Sequence, residues 1–272
     1  DDINLPYYVT AHEVAHQWWG HQVGAANVQG SAVISETLSQ YSALQVMAEK
    51  YGEQKLRKFL KYELDRYLQG RTMESYREMP LYRSENQQYL HYRKGSVVMM
   101  AIADRLGDKR TNTALRHFLQ EFKYQTNPYP TTLDLLRHLK AQANEQEQAF
   151  IDDQFKRITL YELALEDVVV SETNEQSGKF KVTLSIDAKK VYANGEGVET
   201  EEPMQQLVDI GLFHFDPEQL SANDSVIYLQ KHELVSGANT LELYVDERPS
   251  FAGVDPLIKL VDRDSANNVK KL

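Results

Sequence analysis

The sequence has no cysteine among its 272 residues and no long apolar run. Without cysteine, neither a disulfide framework nor thiol catalysis is available to the protein. The longest uninterrupted apolar run is Val97–Ala103. A membrane-spanning helix needs roughly 18 to 20 apolar residues, so we expect no membrane span within these residues.

An excess of basic residues is also lacking, since the formal net charge is -10. Residues 1–157 hold 20 Lys/Arg and 19 Asp/Glu, whereas residues 158–272 hold 10 and 21. Neither part has the basic surface that nucleic-acid binding requires, so no nucleic-acid partner is expected. The composition is that of a globular protein, and the uneven charge suggests two domains.

Residues 1–157 carry apolar side chains at helical spacing. The recurring positions are Leu56, Phe59, Leu60, Leu64 and Leu68, then Leu115, Phe118, Leu119 and Phe122, then Leu133, Leu136 and Leu139. Glycine favours helix C-termini, so we expect helices to end at Gly52, Gly70 and Gly107. This part of the chain is predicted to be mostly helical.

Residues 158–272 change to the alternating pattern of β-strands. The alternating positions are Phe180, Val182, Leu184 and Ile186, then Val208, Ile210 and Leu212, then Leu241, Leu243 and Val245. Turn sequences such as Gln176–Gly178 and Ser221–Asp224 separate the strands. We therefore predict an α+β multidomain protein, with a helical domain over residues 1–157 and a small antiparallel β-sandwich over residues 158–272.

The motif His12-Glu13-Val14-Ala15-His16 carries the most specific chemistry. On a helix, residues four apart share a face, so two imidazoles can bind one zinc ion. Glu13 would then be the general base that activates a water molecule. The competing interpretation is an ordinary histidine pair, and the pattern arises by chance in roughly 2% of chains of this length.

A catalytic zinc ion usually has three protein ligands, so a further donor is required. Glu36 opens a predicted helical stretch over residues 36–49, and its carboxylate could face the first helix. The alternative is an acid favoured by the helix dipole, with no role at a metal.

Residues 12–41 resemble the zinc-binding core of the aminopeptidase N family of gluzincin metallopeptidases. The family pattern continues with Gln-Trp-Phe/Trp-Gly, which Gln17–Gly20 matches. The resemblance implies the helical lobe of a thermolysin-like catalytic domain, peptide substrates, and one zinc ion per chain. It assigns the metal ligands as His12, His16 and Glu36.

The spacing departs from the family pattern at one point. Relatives have 18 residues between the second histidine and the glutamate, which would place Ser35 at the ligand position. A hydroxyl is a poor zinc ligand, and the flanking residues align with the family only if Glu36 is the ligand. We therefore infer one extra residue between His16 and Glu36.

A second motif, Tyr92-Arg93-Lys94-Gly95, resembles the family's Tyr-x-Lys-Gly. The resemblance implies that the Tyr92 hydroxyl stabilises the oxyanion of the tetrahedral intermediate. Tyr89 and His91 are weaker candidates for this role, and Tyr92 could also be one of many packing tyrosines. The expected catalytic residues are thus Glu13 and Tyr92.

The family's upstream Gly-x-Met-Glu-Asn strand, which binds the substrate amine in relatives, has no counterpart here. We therefore interpret the chain as a C-terminal fragment with weak or no activity on its own. The sequence of its zinc-binding region is most similar to that of bacterial family members that are fused to an ABC-transporter permease. This analogy places a parent protein in the bacterial cell membrane, with these residues forming a soluble portion on the outer side.

Two function classes follow from the sequence. The first is zinc-dependent peptide-bond hydrolysis, of aminopeptidase type by resemblance, although the choice between exopeptidase and endopeptidase stays open. The alternative is a catalytically silent zinc-binding or interaction module attached to a membrane transporter. Glu13 argues for the enzyme, because metal binding alone needs no general base. The sequence does not indicate an oligomeric state.

Overall fold

A computed structural model describes residues 3–173, 178–218 and 225–272, without the side chains of residues 53 and 54. These residues form two compact units. The helical unit contains Asp1–Gly52, Lys58–Thr159 and Ala193–Val198. The β unit contains Glu53–Arg57, Leu160–Tyr192 and Glu199–Leu272. The sequence-based domain boundary between residues 157 and 158 stays a prediction.

Seven α-helices and two π-helical turns precede the first strand in the described residues. The helices are α1 (Leu5–Ala15), α2 (Leu38–Tyr51), α3 (Glu53–Met73), α4 (Gly95–Leu106), α5 (Asp108–Phe122), α6 (Thr132–Lys140) and α7 (Glu145–Lys156). The π-helical turns are Val33–Thr37, which leads into α2, and Tyr89–Lys94, which leads into α4.

Two of the three glycine-based helix ends are confirmed. Gly52 and Gly107 follow α2 and α4 with φ near +84° and +83°, a conformation that glycine adopts without strain. The prediction at Gly70 is wrong, because α3 continues to Met73. Gly70 instead allows a close approach: a Cβ there would lie 2.4 Å from the Cβ of Tyr89.

The core of the helical unit consists largely of the side chains with predicted helical spacing. Leu64 and Phe118 are fully buried, as are Leu135 and Leu139 of α6. Leu133 is an exception, because it is 55% exposed and α6 turns the neighbouring Leu135 inward instead. The buried apolar face of α6 is therefore shifted from the one that the sequence suggested.

The β unit contains two four-stranded antiparallel sheets. Their strands are β1 (Ile158–Glu172), β2 (Phe180–Ala193), β3 (Glu199–Glu202), β4 (Gln205–Phe213), β5 (Val226–Val235), β6 (Gly237–Val245), β7 (Phe251–Val254) and β8 (Val269–Lys271). One sheet has the order β1-β2-β3 with β6 also paired to β2, and the other has the order β5-β4-β7-β8. The predicted α+β class is confirmed.

The alternating apolar residues form the interior of this unit. Val182, Leu184 and Ile186 are buried on β2, and Leu184 pairs with Leu241 in the antiparallel register of β2 and β6. The turn predicted at Ser221–Asp224 lies outside the described residues, as do the first two residues of the turn at Gln176–Gly178. In the part of the chain that the structure describes, no helix is both long and apolar enough for a membrane span.

Candidate active site

Helix α1 carries the His12–His16 motif and has a well-defined N-terminus. The Asn4 side chain caps the helix by accepting a hydrogen bond from the Tyr7 backbone N–H at 3.2 Å, and Pro6 fits the first turn. The face that contains Tyr8, His12 and Ala15 is buried. This packing fixes the direction of His12, while His16 follows directly after the last helical residue.

Glu36 lies in the π-helical turn Val33–Thr37, with its carboxylate directed at both histidines. Its Oε2 atom is 3.4 Å from Nε2 of His12 and 3.5 Å from Nε2 of His16. The two Nε2 atoms are 3.1 Å apart. These three residues are the only group of metal-ligand type found in the described residues. Ser35 lies instead beside Gly20.

The three donor atoms have the spacing of one face of a zinc tetrahedron. Zinc bonds of 2.0 to 2.2 Å place neighbouring ligands about 3.3 Å apart in tetrahedral geometry. The observed separations of 3.1, 3.4 and 3.5 Å surround that value. Two neutral imidazoles and a carboxylate are also the donor set that a catalytic zinc ion prefers. The residues present therefore fit a zinc ion.

The surroundings of His16 Nδ1 determine which ring nitrogen carries the proton. Its Nδ1 lies 2.9 Å from the Trp19 carbonyl oxygen and 3.1 Å from Ser39 Oγ. A carbonyl oxygen only accepts, so Nδ1 must carry the proton, which leaves the lone pair on Nε2 for a metal. His12 Nδ1 is buried and has no hydrogen-bond partner within the described residues.

The electrostatics keep Glu36 ionised. Burial raises the pKa of this carboxyl group, but hydrogen bonds from His12 and Tyr92 and the positive potential of the histidines outweigh burial and lower the pKa to about 2. An ionised carboxylate is the form that binds a metal ion.

Tyr92 lies in the second π-helical turn, beside the three donors. Its ring centroid is 5.6 Å from that of His12. Burial and the neighbouring Glu36 carboxylate both raise the pKa of Tyr92, so its hydroxyl retains its proton at neutral pH. Tyr92 can therefore act as a hydrogen-bond donor.

A close contact joins the two π-helical turns. The fully buried Thr37 donates a hydrogen bond from Oγ1 to the His91 carbonyl oxygen at 2.5 Å. A Cβ at Gly95 would lie 2.4 Å from Thr37 Oγ1 and 2.8 Å from its Cγ2. The glycine of the Tyr-x-Lys-Gly motif thus permits the approach that holds Glu36 and Tyr92 in one site.

A cleft of about 620 Å³ opens beside these residues. Its lining includes His12, Glu13 and Tyr92. Glu13 is exposed in this cleft, one residue after a candidate ligand, so its carboxylate is available to a water molecule or a substrate.

Other aromatic and histidine side chains near the two motifs do not belong to the group of three donors. Tyr89 stacks on Tyr67, and His91 is buried, which lowers its pKa to about 4. His21 is exposed. Trp19 is buried and donates from its indole to Ser42, whereas Trp18 is 43% exposed, so packing accounts for one tryptophan of the pair.

Sequence reasoning missed a buried polar cluster beneath the cleft. Glu63 is completely buried and accepts hydrogen bonds from Tyr8 and Gln40, each at 2.9 Å. Its two oxygens also lie 3.2 and 3.1 Å from Nη1 of Arg93. One feature of the sequence does point to this cluster: Glu63 is a carboxylate between Leu60 and Leu64 on an apolar helix face.

Comparison with known families decides the family of the chain. Residues 2–155 match the family model described as the peptidase family M1 domain. The chain belongs to peptidase family M1. The matched M1 residues include all of the predicted site residues. No curated protein matches the chain significantly.

Two solved structures resemble the M1 chain. Aminopeptidase A of Legionella pneumophila, in complex with aspartic acid, has a TM-score of 0.51 and 15% identity, and the match covers 94% of this chain and 26% of that one. A mutant M1 zinc metallopeptidase of Deinococcus radiodurans, bound to a Tyr-Ser-Ala substrate, has a TM-score of 0.43 and 23% identity over 54% of this chain and 32% of that one. The first match supports the fold, and this chain spans about a quarter of the length of that relative.

Proposed function

We propose that the chain carries the metal centre of a zinc-dependent peptidase of aminopeptidase type. In this proposal one zinc ion per chain is held by His12, His16 and Glu36. The observation that supports it most directly is the tetrahedral spacing of their three donor atoms, 3.1 to 3.5 Å apart. When bound, zinc lowers the pKa of a coordinated water molecule to about 7 and polarises a carbonyl group.

Glu13 is proposed as the general base. Its exposed carboxylate lines the same cleft as His12, so it can accept a proton from the attacking water molecule. The same carboxylate can then return the proton to the amine that leaves. A positioned general base typically contributes 10² to 10⁴ in rate.

Tyr92 is proposed to stabilise the negative charge that develops on the substrate carbonyl oxygen. Its raised pKa keeps the phenol protonated, and its position beside His12 directs it towards the same cleft. Donors of this kind act most strongly where protein rather than water surrounds the reacting atoms.

We also propose that these residues belong to a longer polypeptide, called the parent protein below. The support is the resemblance to larger relatives, of which the chain spans only part. Residues 1–157 would be the helical lobe of the catalytic domain, and residues 158–272 would be the β-sandwich that follows it. The transporter fusion and the outer-side location stay predictions from resemblance.

The test is metal analysis combined with a peptidase assay on the parent protein. We expect one equivalent of zinc, hydrolysis of aminoacyl or peptide substrates, and a loss of 10² to 10⁴ in kcat for Glu13→Gln without loss of zinc. If the zinc-loaded parent hydrolyses no peptide bond, the enzyme proposal fails and the alternative of a silent zinc-binding module is favoured.

A further inference from the structure

The lining of the cleft beside the metal site contains two arginines. Fifteen residues line it, and all of them lie in the described part of the chain. Two of the fifteen are arginines, Arg66 and Arg93, and the only acidic one is Glu13. Since Glu13 is assigned to proton transfer, the two guanidinium groups are left to interact with the bound molecule.

Arg93 presents an unused edge. Its Nη1 atom is committed to Glu63, whereas Nε and Nη2 make no hydrogen bond within the described residues. The side chain is 31% exposed. The Nε–Nη2 edge of a guanidinium group is one of those that bind a carboxylate with two parallel hydrogen bonds.

The Glu63 cluster holds this arginine in position. Glu63 is fully buried and accepts from Tyr8 and Gln40 as well as from Arg93, so its acceptor capacity is largely used. One side of the guanidinium group is therefore anchored in the protein, and the other side is directed away from Glu63. Such anchoring lowers the entropy cost of binding a ligand.

Arg66 contributes a second positive charge, and it makes no ion pair within the described residues. Its only hydrogen bond in the described residues is a long one, 3.5 Å from Nη1 to Gln69 Oε1. The guanidinium carbons of Arg66 and Arg93 each lie 5.4 Å from the ring centroid of Tyr62. Both cations thus lie within cation–π distance of one aromatic ring of the cleft lining.

We propose that Arg66 and Arg93 bind a carboxylate group of the peptide, close to the bond that is cleaved. The inference rests on the proposed peptidase function and adds a substrate class to it. The carboxylate could be the C-terminus of a short peptide or an acidic side chain. Both have the same chemistry, and the experiment below separates them.

The experiment compares three tripeptides that differ in their carboxylates: Ala-Ala-Ala, Ala-Ala-Ala-amide and Ala-Glu-Ala-amide. Binding to the zinc-loaded Glu13→Gln parent is measured by calorimetry, and kcat and KM are measured with the zinc-loaded parent. A charge-assisted bidentate contact should give about tenfold tighter binding to a carboxylate peptide than to the neutral amide. Preference for Ala-Ala-Ala assigns the C-terminus, and preference for Ala-Glu-Ala-amide assigns an acidic side chain.

Two variants test whether Arg66 and Arg93 bind the carboxylate. Arg66→Gln removes an exposed charge, and Arg93→Lys keeps a positive charge but removes the guanidinium edge. Each should reduce the preference for the carboxylate peptide over the amide peptide severalfold, and the reduction should appear in KM. Arg116→Gln, at an exposed position outside the cleft lining, is the matched control and should leave the preference intact.

The outcomes separate this inference from the proposed function. Hydrolysis with equal affinity for all three peptides would leave the peptidase standing and overturn the carboxylate site. A preference that persists in both arginine variants would also overturn it. Carboxylate-selective binding without any hydrolysis would support the site and count against the peptidase. If no peptide binds, both fail.

Discussion

Substitution of Gly95 by alanine tests how the fold holds Glu36 and Tyr92 together. The added Cβ would lie 2.4 Å from Thr37 Oγ1 and 2.8 Å from its Cγ2, well inside contact distance. Thr37 is completely buried and donates to the His91 carbonyl oxygen, so it cannot move without losing that hydrogen bond.

The size of the expected stability change follows from two costs and one opposing gain. Overpacking of a buried contact costs about 1 to 3 kcal/mol, and loss of the hydrogen bond costs about 1 kcal/mol more. Alanine is favoured over glycine within a helix by about 1 kcal/mol, which offsets part of this cost. We therefore expect Gly95→Ala to lower the free energy of unfolding of the helical unit by about 1 to 3 kcal/mol.

Urea denaturation of the 272-residue chain measures this change through tryptophan fluorescence. Both tryptophans, Trp18 and Trp19, lie in the helical unit, so the signal reports that unit. The double variant with Thr37→Ala removes the colliding atoms and should recover at least about 1 kcal/mol relative to the sum of the single changes. Strict additivity of the two substitutions would refute the steric argument.

Three further outcomes are expected. Tyr92→Phe should lower kcat of the parent protein by about 10² to 10³ with little change in KM, and an unchanged kcat would exclude Tyr92 from oxyanion stabilisation. Arg93→Ala should destabilise the helical unit by about 3 kcal/mol in urea denaturation, because it leaves buried Glu63 without its cation, and adding Glu63→Gln should restore part of the loss. Burial raises the pKa of Asp255 to about 8, above its unfolded value of 3.8, so the β unit should lose stability as pH rises from about 4 to about 8. Asp255→Asn should flatten this dependence in hydrogen exchange of β-strand amides, and parallel profiles for the two proteins would contradict the assignment.

Much of the fold follows from local patterns in the sequence. The helical spacing of apolar residues around Leu64 and around Phe118, and the alternation around Leu184, indicate which side chains are buried. Burial in turn largely determines which segments form helices and which form strands. The prediction at Gly70 is wrong because this glycine has a role in tertiary packing and does not end the helix. The same residue type ends α2 at Gly52, where no atom of the described residues would lie within 4 Å of a Cβ, and permits close packing against Tyr89 within α3. Sequence alone does not separate these two uses.

The candidate site was predictable where a motif fixes both residue type and spacing. His12 and His16 need only the geometry of a helix to meet, and the structure brings them together with Glu36. The extra residue inferred before Glu36 stays a prediction, and the local backbone conformation at Glu36 was not predictable. Glu36 lies in a π-helical turn, which closes i→i+5 hydrogen bonds and so accommodates one residue more than an α-helical turn. Hydropathy patterns do not reveal such turns.

The Glu63 cluster was missed for a related reason. Its members lie far apart in the sequence, and only the packed fold places Tyr8, Gln40 and Arg93 around one carboxylate. Long-range polar networks of this kind leave no periodic signal in the chain, although a lone acid on an apolar helix face indicates where to search.

Zinc titration of the chain and of two single variants tests the central claim most directly. Calorimetry with metal analysis should find one zinc ion per chain in the wild type and in Ser35→Ala, and Glu36→Gln should bind zinc more than about 100-fold more weakly. This result would assign the third ligand to Glu36 despite the 19-residue spacing. Wild-type zinc affinity in Glu36→Gln, or loss of zinc in Ser35→Ala, would contradict the proposed metal centre.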